Sequence, residues 1–492
     1  MPGRDIYLLS PRSLSPETIA VAFAKTSRSP ESFRAIASEL SDEKSAQFHE
    51  KCVVGYGHAS VAEHAVLHIA FENVSRLAIE SIESNRLASY TEKSTRYQKW
   101  LPDDFTVPPE LDRHGLNEQF VRTCRALFQA YTDSLVPVRA VVEKKSPRRE
   151  NETEEGWDRR VRSQYVDACR FMLPAAANAN VGVTANARVL ENMIRKMLSS
   201  ELAEVREIGQ AVREVAKAET PTLVKYADSV PYLVETTREI GGFVGRGSLE
   251  LALKGRDSAT SNSDWENTGS ADDRRDWCRL VHYDPDGERR VLAAVLYRFS
   301  GMSHAAALAH VSSLGRAGQE QLAHSLLRRL GEHDIPLREL EYAAYTFDLI
   351  MDQGAYAEFK RHRMMTQTPQ QLTTRLGYAM PRLIAEAGFG SRYEAAMQAA
   401  MEAYESLFEF NPLIAQYVVP NGFKRRILAR FNLREAYHFC QLRAARTAHF
   451  SIRRVAQRIH EELARVHPNL TKSMHIPAED WQTVEANHFS RA

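Results

Sequence analysis

Disulfide and thiolate-metal chemistry have almost nothing to work with in this chain. Its 492 residues hold five cysteines, Cys52, Cys124, Cys169, Cys278 and Cys440, an odd number with no Cys-x-x-Cys spacing. That argues for a reducing compartment and against a disulfide framework or a thiolate zinc site. Charge imbalance is missing too: 64 Lys and Arg against 63 Asp and Glu leave a net +1, so no global field points to a nucleic-acid or membrane surface. No apolar run reaches the ~20 residues of a membrane span, and MPGRDIYLLSPRS at the amino terminus lacks a signal-type apolar core. The expectation is a cytoplasmic protein with no metal, nucleic-acid or membrane partner. What is present is a globular composition, 43% hydrophobic and 26% charged, on a chain too long for a single ordinary core.

Local patterns mix helices with a few strands, which gives an α+β class. A strand is expected at Ile6–Leu9, and helix starts at Ser15-Pro16-Glu17 and Ser29-Pro30-Glu31. A helical pattern follows from Ser41 to Cys52, and Ser60-Val61-Ala62-Glu63 reads as a capping box. Leu67, Ile69 and Phe71 alternate with polar neighbours as in a half-buried strand; a helix over Ser75–Glu83 and a loop over 84–97 come next. Residues 116–143 read as a helix with Phe120, Ala126, Leu127, Tyr131 and Leu135 on one side, and charged residues 144–162 as a surface insertion. Gly, Ser, Asn and Asp dominate 241–275, the expected linker. Beyond it the patterns predict a hairpin turning at Asp286-Gly287, helices over 304–330 and a strand through Tyr345, Phe347 and Leu349. Asp352 should open a short helix through Lys360, and one long helix should run from Arg434 to Val466.

Arg361-His362-Arg363 follows that short helix. Such a run either decorates the helix's C-terminal end, complementing its dipole, or faces an anion such as phosphate. A long-range repeat bears on the choice. Strand–helix segments lead to Arg86 in one half and Arg363 in the other, 363 − 86 = 277 residues apart. CRFMLP and AQYVVP end at Pro174 and Pro420, and helices open at Asn186 and Asn432, both pairs 246 apart. The chain therefore reads as two copies of one domain, 1–240 and 276–492, joined by the linker.

The repeat unit resembles the flavin-dependent thymidylate synthase family, whose signature is Arg-His-Arg, a Ser, then Ser-x-Arg-Tyr. It is preceded by His-x-(Ser/Thr)-x-x-Glu-His and followed by Leu-Pro and an Asn-x-Arg…Arg helix. In the first half His58, Ser60, Glu63 and His64 match the upstream segment; Ser89, Glu92, Ser94, Arg96 and Tyr97 match the nucleotide-binding end; Arg170, Pro174, Asn186 and Arg188 match the later parts. It departs at Ser84-Asn85-Arg86, where one arginine of the motif survives, and at Met197, where the family has a nucleotide-contacting arginine. The second half keeps Arg361, His362, Arg363, Thr366, Asn432, Arg434 and Arg443. It carries Pro369, Gln371 and Thr373 in place of Glu, Ser and Arg, has Gln416 for an arginine, and retains His333, Pro336 and Glu341 of the upstream segment.

The resemblance implies an antiparallel sheet with long helices, and FAD as cofactor. It also implies NADPH and methylenetetrahydrofolate as co-substrates for methylating dUMP to dTMP, and a homo-oligomer built as a dimer of tandem chains. It assigns His58, Ser60, Glu63, Arg86, Arg361, His362, Arg363, Asn432 and Arg434 to the flavin. Ser89, Glu92, Ser94, Arg96 and Arg170 fall to the nucleotide, and Arg443 to the charge that develops on the pyrimidine. The residue types suit this: in an extended segment Ser94 and Arg96 project to one side, where a hydroxyl and a guanidinium can grip one phosphate. Met193, Met197 and Cys440 read as core, and Arg446, Arg453, Arg454 and Arg458 as a solvated or ion-paired face. A division of labour between the halves follows, with Ser94 and Arg96 complementing Arg361–Arg363. A changed pyrimidine acceptor, suggested by Met197 and Gln416, and a non-catalytic flavin- or nucleotide-binding homologue are the alternatives.

Overall fold

The computed structural model describes residues 5–26, 29–55, 59–96, 100–254, 276–331 and 333–492, without the side chains of 52, 54, 55 and 243–254. Contacts divide the chain into two units. The first comprises Met1–Gln98, Asp104–Asn117 and Ala176–Asp257; the second comprises Lys99–Asp103, Glu118–Ala175 and Ser258–Ala492.

Period-two alternation builds the first unit's sheet. Its strands β1 (Val66–Ser75), β2 (Ala88–Glu92) and β3 (Asn178–Asn186) are antiparallel in the order β1-β3-β2. Leu67, Ile69 and Phe71 point inward, as expected, against a core that includes Met193 and Met197. Ser75 caps the helix Arg76–Ile82. Strand β2 corrects the loop expected over 84–97. It carries little apolar alternation, and backbone pairing, with Ser89 opposite Thr184, places it at the sheet edge. No strand forms at Ile6–Leu9, where Ile6 and Leu8 are exposed. Ser15 opens the helix Pro16–Thr26 as expected, but the second cap is Ser32 rather than Ser29: its Oγ accepts from the Ala35 amide at 3.2 Å. The Ser60–Glu63 capping box is replaced by a 3-10 helix, Ala59–His64. Helix Pro231–Lys254 continues through Gly241-Gly242, where the linker was expected to begin; 255–275 lie outside the described residues.

The second unit has strands β4 (Cys278–Tyr283), β5 (Ala344–Asp352), β6 (Thr366–Pro369), β7 (Met380–Pro381), β8 (Lys424–Asn432) and β9 (Phe489–Arg491). One antiparallel sheet has the order β4-β5-β8-β6, and β7 pairs with β9. The expected hairpin is half right. After β4 the run VLAAVLY belongs to a helix, Gly287–Phe299, whose Val291, Leu292 and Val295 are buried at helical spacing. Along β5, Tyr345, Phe347 and Leu349 are fully buried, and the Phe347 and Phe431 rings stack at 5.5 Å. Each such side chain contributes roughly 1.5–3 kcal/mol on burial. The long helix expected from Arg434 is two, Leu433–Ala444 and Phe450–Val466. His449 interrupts it by capping the second: its Nδ1 accepts from the Ser451 amide at 3.2 Å.

Residues 118–175 belong to the second unit. Helix Asn117–Lys145 buries Phe120, Cys124, Leu127, Tyr131 and Val138, while Ala126 is exposed, contrary to expectation. The charged stretch 144–162 is partly helical, since Thr153 caps the helix Glu154–Cys169. Arg160–Glu152 at 2.7 Å and Arg139–Asp158 at 2.8 Å tie it down beside one fully buried apolar residue, Val161.

The duplication is written in the hydrogen bonds. Ser89 lies opposite Thr184 and Thr366 opposite Arg430, positions related by 366 − 89 = 277 and 430 − 184 = 246. The same shifts relate Lys93 N→Asn180 O to Gln370 N→Arg426 O, and Arg76 N→Ala177 O to Gln353 N→Phe423 O. Within the second unit the copies meet about a local twofold. Ala175 donates to the Val419 carbonyl and Asn421 to the Leu173 carbonyl, each at 2.9 Å, with 421 − 175 and 419 − 173 both 246. Such reciprocity is the mark of an isologous interface, here inside one chain. Phe171 seals it, with ring centroids 5.7 Å from Phe450 and 5.8 Å from His449.

Backbones approach so closely there that Gly422 has no room for a side chain: a Cβ would lie 2.5 Å from the Tyr393 hydroxyl and 3.3 Å from the Phe171 carbonyl oxygen. Gly422→Ala is therefore expected to lower unfolding free energy by about 1–3 kcal/mol, the cost of overpacking. Denaturant midpoints of the full chain check it, and an unchanged midpoint would contradict this packing.

Candidate functional site

Asp352, buried at the end of β5, starts the geometry. Its Oδ1 accepts from the Ala355 amide at 2.9 Å, capping the helix Gln353–Phe359, and its other oxygen accepts from the Ser451 hydroxyl. The short helix carries Glu358 and delivers Arg361-His362-Arg363 at its exit. Asn432 caps the facing helix Leu433–Ala444, accepting from the Glu435 amide at 2.9 Å, and that helix carries Arg434, Glu435 and Arg443.

His362 is the hinge of the cluster. It is 4% exposed; its Nδ1 lies 3.0 Å from Glu435 Oε1, and its Nε2 lies 3.0 Å from Arg443 Nε. Arginine can only donate, so Nε2 accepts and Nδ1–H donates to Glu435, which fixes a neutral ring in one tautomer. Burial, with Arg443 assisting, holds its pKa below the ordinary histidine value. Arg443 also pairs through Nη1 with Glu358. Burial pushes the Glu358 carboxyl up, but the combined fields of Arg361, Arg443 and Arg170 outweigh it and leave it below the carboxylate range. Arg170, first residue of the 3-10 helix Arg170–Met172, pairs with Asp167 at 3.1 Å. Three arginines thus act on one half-buried carboxylate, and one of the three comes from the first half of the sequence.

Beside this cluster the same helix walls a cavity of about 970 Å³. Asn432, Arg434, Glu341, Pro336 and His333 line it, together with Arg446, Met364 and His438. Arg434 donates to the Pro336 carbonyl at 3.0 Å and pairs with Glu341 at 2.9 Å. In the first half Arg188 pairs with Glu63, the equivalent couple.

Several expected ligand contacts are spoken for within the protein. His362 has both ring nitrogens engaged, so it positions Arg443 rather than offering a nitrogen to a cofactor. Glu92 pairs with Arg76 at 3.0 Å, the carboxylate side chain almost wholly covered. Thr95 and Arg96 lie on a turn rather than continuing an extended segment, and Ser94 Oγ, just before it, accepts from the Arg96 amide at 3.3 Å. Ser60, Arg86 and Ser89 are exposed, Arg361 is exposed and Arg363 half-buried; His58 and Tyr97 lie outside the described residues. Ser89, Glu92, Ser94 and Arg96 fall in the first unit, and Arg170, Arg361–Arg363, Asn432, Arg434 and Arg443 in the second. Met197 is packed in the first unit's core, and Gln416 is buried, accepting from the Leu372 amide at 2.9 Å and donating to the Leu413 carbonyl at 3.3 Å. The ion-paired reading of Arg453, Arg454 and Arg458 is right, with Glu479, Glu485 and Asp276 as partners, but Arg453 and Arg454 are buried rather than solvated. Cys124, Cys169, Cys278 and Cys440 are buried, and burial pushes each thiol up, so none is a ready nucleophile.

Sequence reading missed Glu358, Glu435, Asp167 and His449. The signal for Glu358 was its place three residues before Arg361, one helical turn away. Asp167 stood in the same i,i+3 relation to Arg170, while nothing local marked Glu435.

Fold and cluster together define a duplicated α+β protein with a cluster of arginines and carboxylates beside a cavity of about 970 Å³. The profile of the Thymidylate synthase complementing protein family matches residues 9–222 and 279–469. A UPF0159 protein of Chlamydia muridarum is 30% identical over 453 residues, covering 87% of this chain and 80% of its own. A flavin-dependent thymidylate synthase of Clostridium tetani is 28% identical over 216 residues, covering 43% of this chain and 82% of its own. Among solved structures, thymidylate synthase X from Helicobacter pylori with FAD and dUMP is 18% identical, covering 40% of this chain and 98% of its own at a TM-score of 0.29. The UMP/dUMP methylase PolB from Streptomyces cacaoi bound with 5-Br dUMP is 17% identical, covering 40% and 93%, at 0.32. The chain belongs to the thymidylate synthase complementing protein family, the flavin-dependent thymidylate synthases, as a tandem duplication of its domain with each half partly degenerate.

Two outcomes follow from the cluster. Glu358→Gln removes the carboxylate that neutralises Arg443, so affinity for an anion such as phosphate should rise about tenfold, the scale of one charge-assisted bond. Calorimetric titration with inorganic phosphate reads it, and unchanged affinity would show that Arg443 meets no such anion. The second outcome concerns pH. His449 is fully buried beside Arg170, and burial followed by that guanidinium depresses its pKa from 6.5 to about 4. The unfolded chain therefore binds the extra proton between those values, and stability falls as pH drops through the window, by roughly 3 kcal/mol over its full span. Urea unfolding at pH 7 and pH 5 should show the loss, and His449→Gln should lessen it; an equal loss in the variant would contradict the assignment.

Proposed function

We propose that this protein is an FAD-dependent enzyme that methylates a pyrimidine nucleotide at C5, converting dUMP to dTMP with methylenetetrahydrofolate and NADPH. The observation that carries the proposal is Arg443, fixed at Nε by neutral His362 and set among Arg361 and Arg170 beside the cavity. The cavity residues fit a flavin dinucleotide. A volume of about 970 Å³ lies at the upper end of small-molecule sites. Its wall joins the cations Arg434 and Arg446 to apolar Ile335, Met364 and Leu442. The chemistry a bound flavin supplies is relay of a hydride equivalent from NADPH, so that uracil C5–H becomes C5–CH3 and tetrahydrofolate and NADP+ leave.

The chain's own residues position and stabilise. Arg443 turns its terminal nitrogens to the pyrimidine, where negative charge develops, as Glu358 yields. The His362–Glu435 pair holds that guanidinium without competing for charge, because the ring is neutral. Arg170 and Arg361 attract the anionic substrate; in the first unit Ser94 and Arg96 offer a hydroxyl and a guanidinium to a phosphate; and the assembly is a dimer of tandem chains. A changed acceptor loses its motive here: Met197 is core and Gln416 ties down backbone, so neither replacement reads as a rebuilt base pocket. Among the described residues no helix is long and apolar enough to cross a membrane.

The test is purification followed by three readings: flavin absorbance, dUMP-dependent NADPH oxidation, and dTMP formation. All three are expected. Colourless protein that binds no FAD would sink the proposal, and flavin without response to dUMP would point to another acceptor. Arg363→Ala should weaken flavin retention, and Arg96→Ala mainly nucleotide affinity.

A further inference from the structure

The losses in the two halves look complementary when each half is read alone, and they become one-sided when the cluster is read as a unit. The offsets that align the copies' hydrogen bonds also align its members. Shifted by 277, Glu358 and Arg361 correspond to Ser81 and Ser84; shifted by 246, Glu435 and Arg443 correspond to Val189 and Met197. In the other direction, Asp167 and Arg170 correspond to Leu413 and Gln416. Every charged member of the cluster has an uncharged counterpart, although Asp167 and Arg170 come from one half and the other four from its partner. The match of Glu435 to Val189 is secure, because each is the residue whose amide the helix-capping asparagine accepts.

Physics explains why such positions empty together. A buried charge stripped of its partner is strongly destabilising, whereas replacing the whole set by neutral groups is not. The counterparts have taken up packing duties: Met197 is core, and Gln416 binds the Leu372 amide and the Leu413 carbonyl.

We infer that each tandem chain carries a single nucleotide-anion site, built from Arg170 of the first half with Arg361 and Arg443 of the second, and that the duplicate positions in the two halves have lost the charges such a site needs. The inference rests on the nucleotide reading above and sharpens it. It makes Arg170, distant in sequence, a substrate-binding partner of Arg443, and it makes the first half indispensable to the second half's site.

Calorimetric titration of the full chain with dUMP tests it, expecting one dUMP per chain. Arg170→Gln and Arg443→Met, each copying the counterpart residue, should each weaken binding at least tenfold, and the double variant should be little weaker than the worse single one. Arg170→Lys keeps the cation and should restore most of the affinity, separating charge loss from misfolding. Two dUMP per chain, or binding indifferent to Arg170→Gln in a folded variant, overturns the single site and leaves the methylation reading intact. One dUMP bound without NADPH-dependent turnover supports the single site and overturns the methylation reading alone.

Discussion

Two reciprocal backbone hydrogen bonds organise the second unit, Ala175 to Val419 and Asn421 to Leu173. They pin the end of one copy against the same point of the other, so residue and partner exchange roles across a local twofold. Gly422, with backbone and a tyrosine hydroxyl pressed against it, is where that approach is tightest. Through this crossing Arg170 reaches the cluster formed by Glu358, Arg361 and Arg443. Without it the first half's surviving arginine and the second half's surviving arginines would serve nothing in common.

The cluster is a problem in desolvation as much as in recognition. Arg443 and His362 are largely removed from water, and each cation there needs an anion or a lone pair. Glu358 supplies the anion, and His362, kept neutral by burial, supplies the lone pair. The result is a guanidinium whose direction is fixed from behind while its counter-ion can be exchanged for a ligand. The adjoining cavity has its own internal restraint in Arg434–Glu341, a couple repeated as Arg188–Glu63 in the first half. Its recurrence where the cluster has no charged equivalent marks it as part of the domain's frame.

Much of this was legible in the sequence, for identifiable reasons. The offsets of 277 and 246 appeared in the spacing of Arg86, Arg363, Pro174, Pro420, Asn186 and Asn432, because the copies kept the residues that cap helices and close turns. Strands β1 and β5 were legible because one face of each is buried. Strand β2 was not, since an edge strand is held by backbone pairing that side chains do not announce. The run VLAAVLY misled because a short apolar stretch has no period to separate strand from helix. At the site, the arginines were legible by motif, while their carboxylates were not: Glu435 matters through His362, 73 residues away, which only the fold brings into contact, and Asp167 through Arg170 one helical turn on, a spacing that allows the pair without singling it out. His362 was placed on the ligand because a motif gives identity without direction, and burial turned it toward Arg443.

The central claim is that one chain has one nucleotide site and that Arg170 belongs to it. Photo-crosslinking with 5-iodo-dUMP, followed by peptide mapping, tests that directly. The account predicts labelling that saturates at one per chain, confined to peptides around Arg170, Arg361 and Arg443, and lost in Arg170→Gln. Label shared equally with the peptides carrying Ser84, Met197 and Gln416 would contradict it.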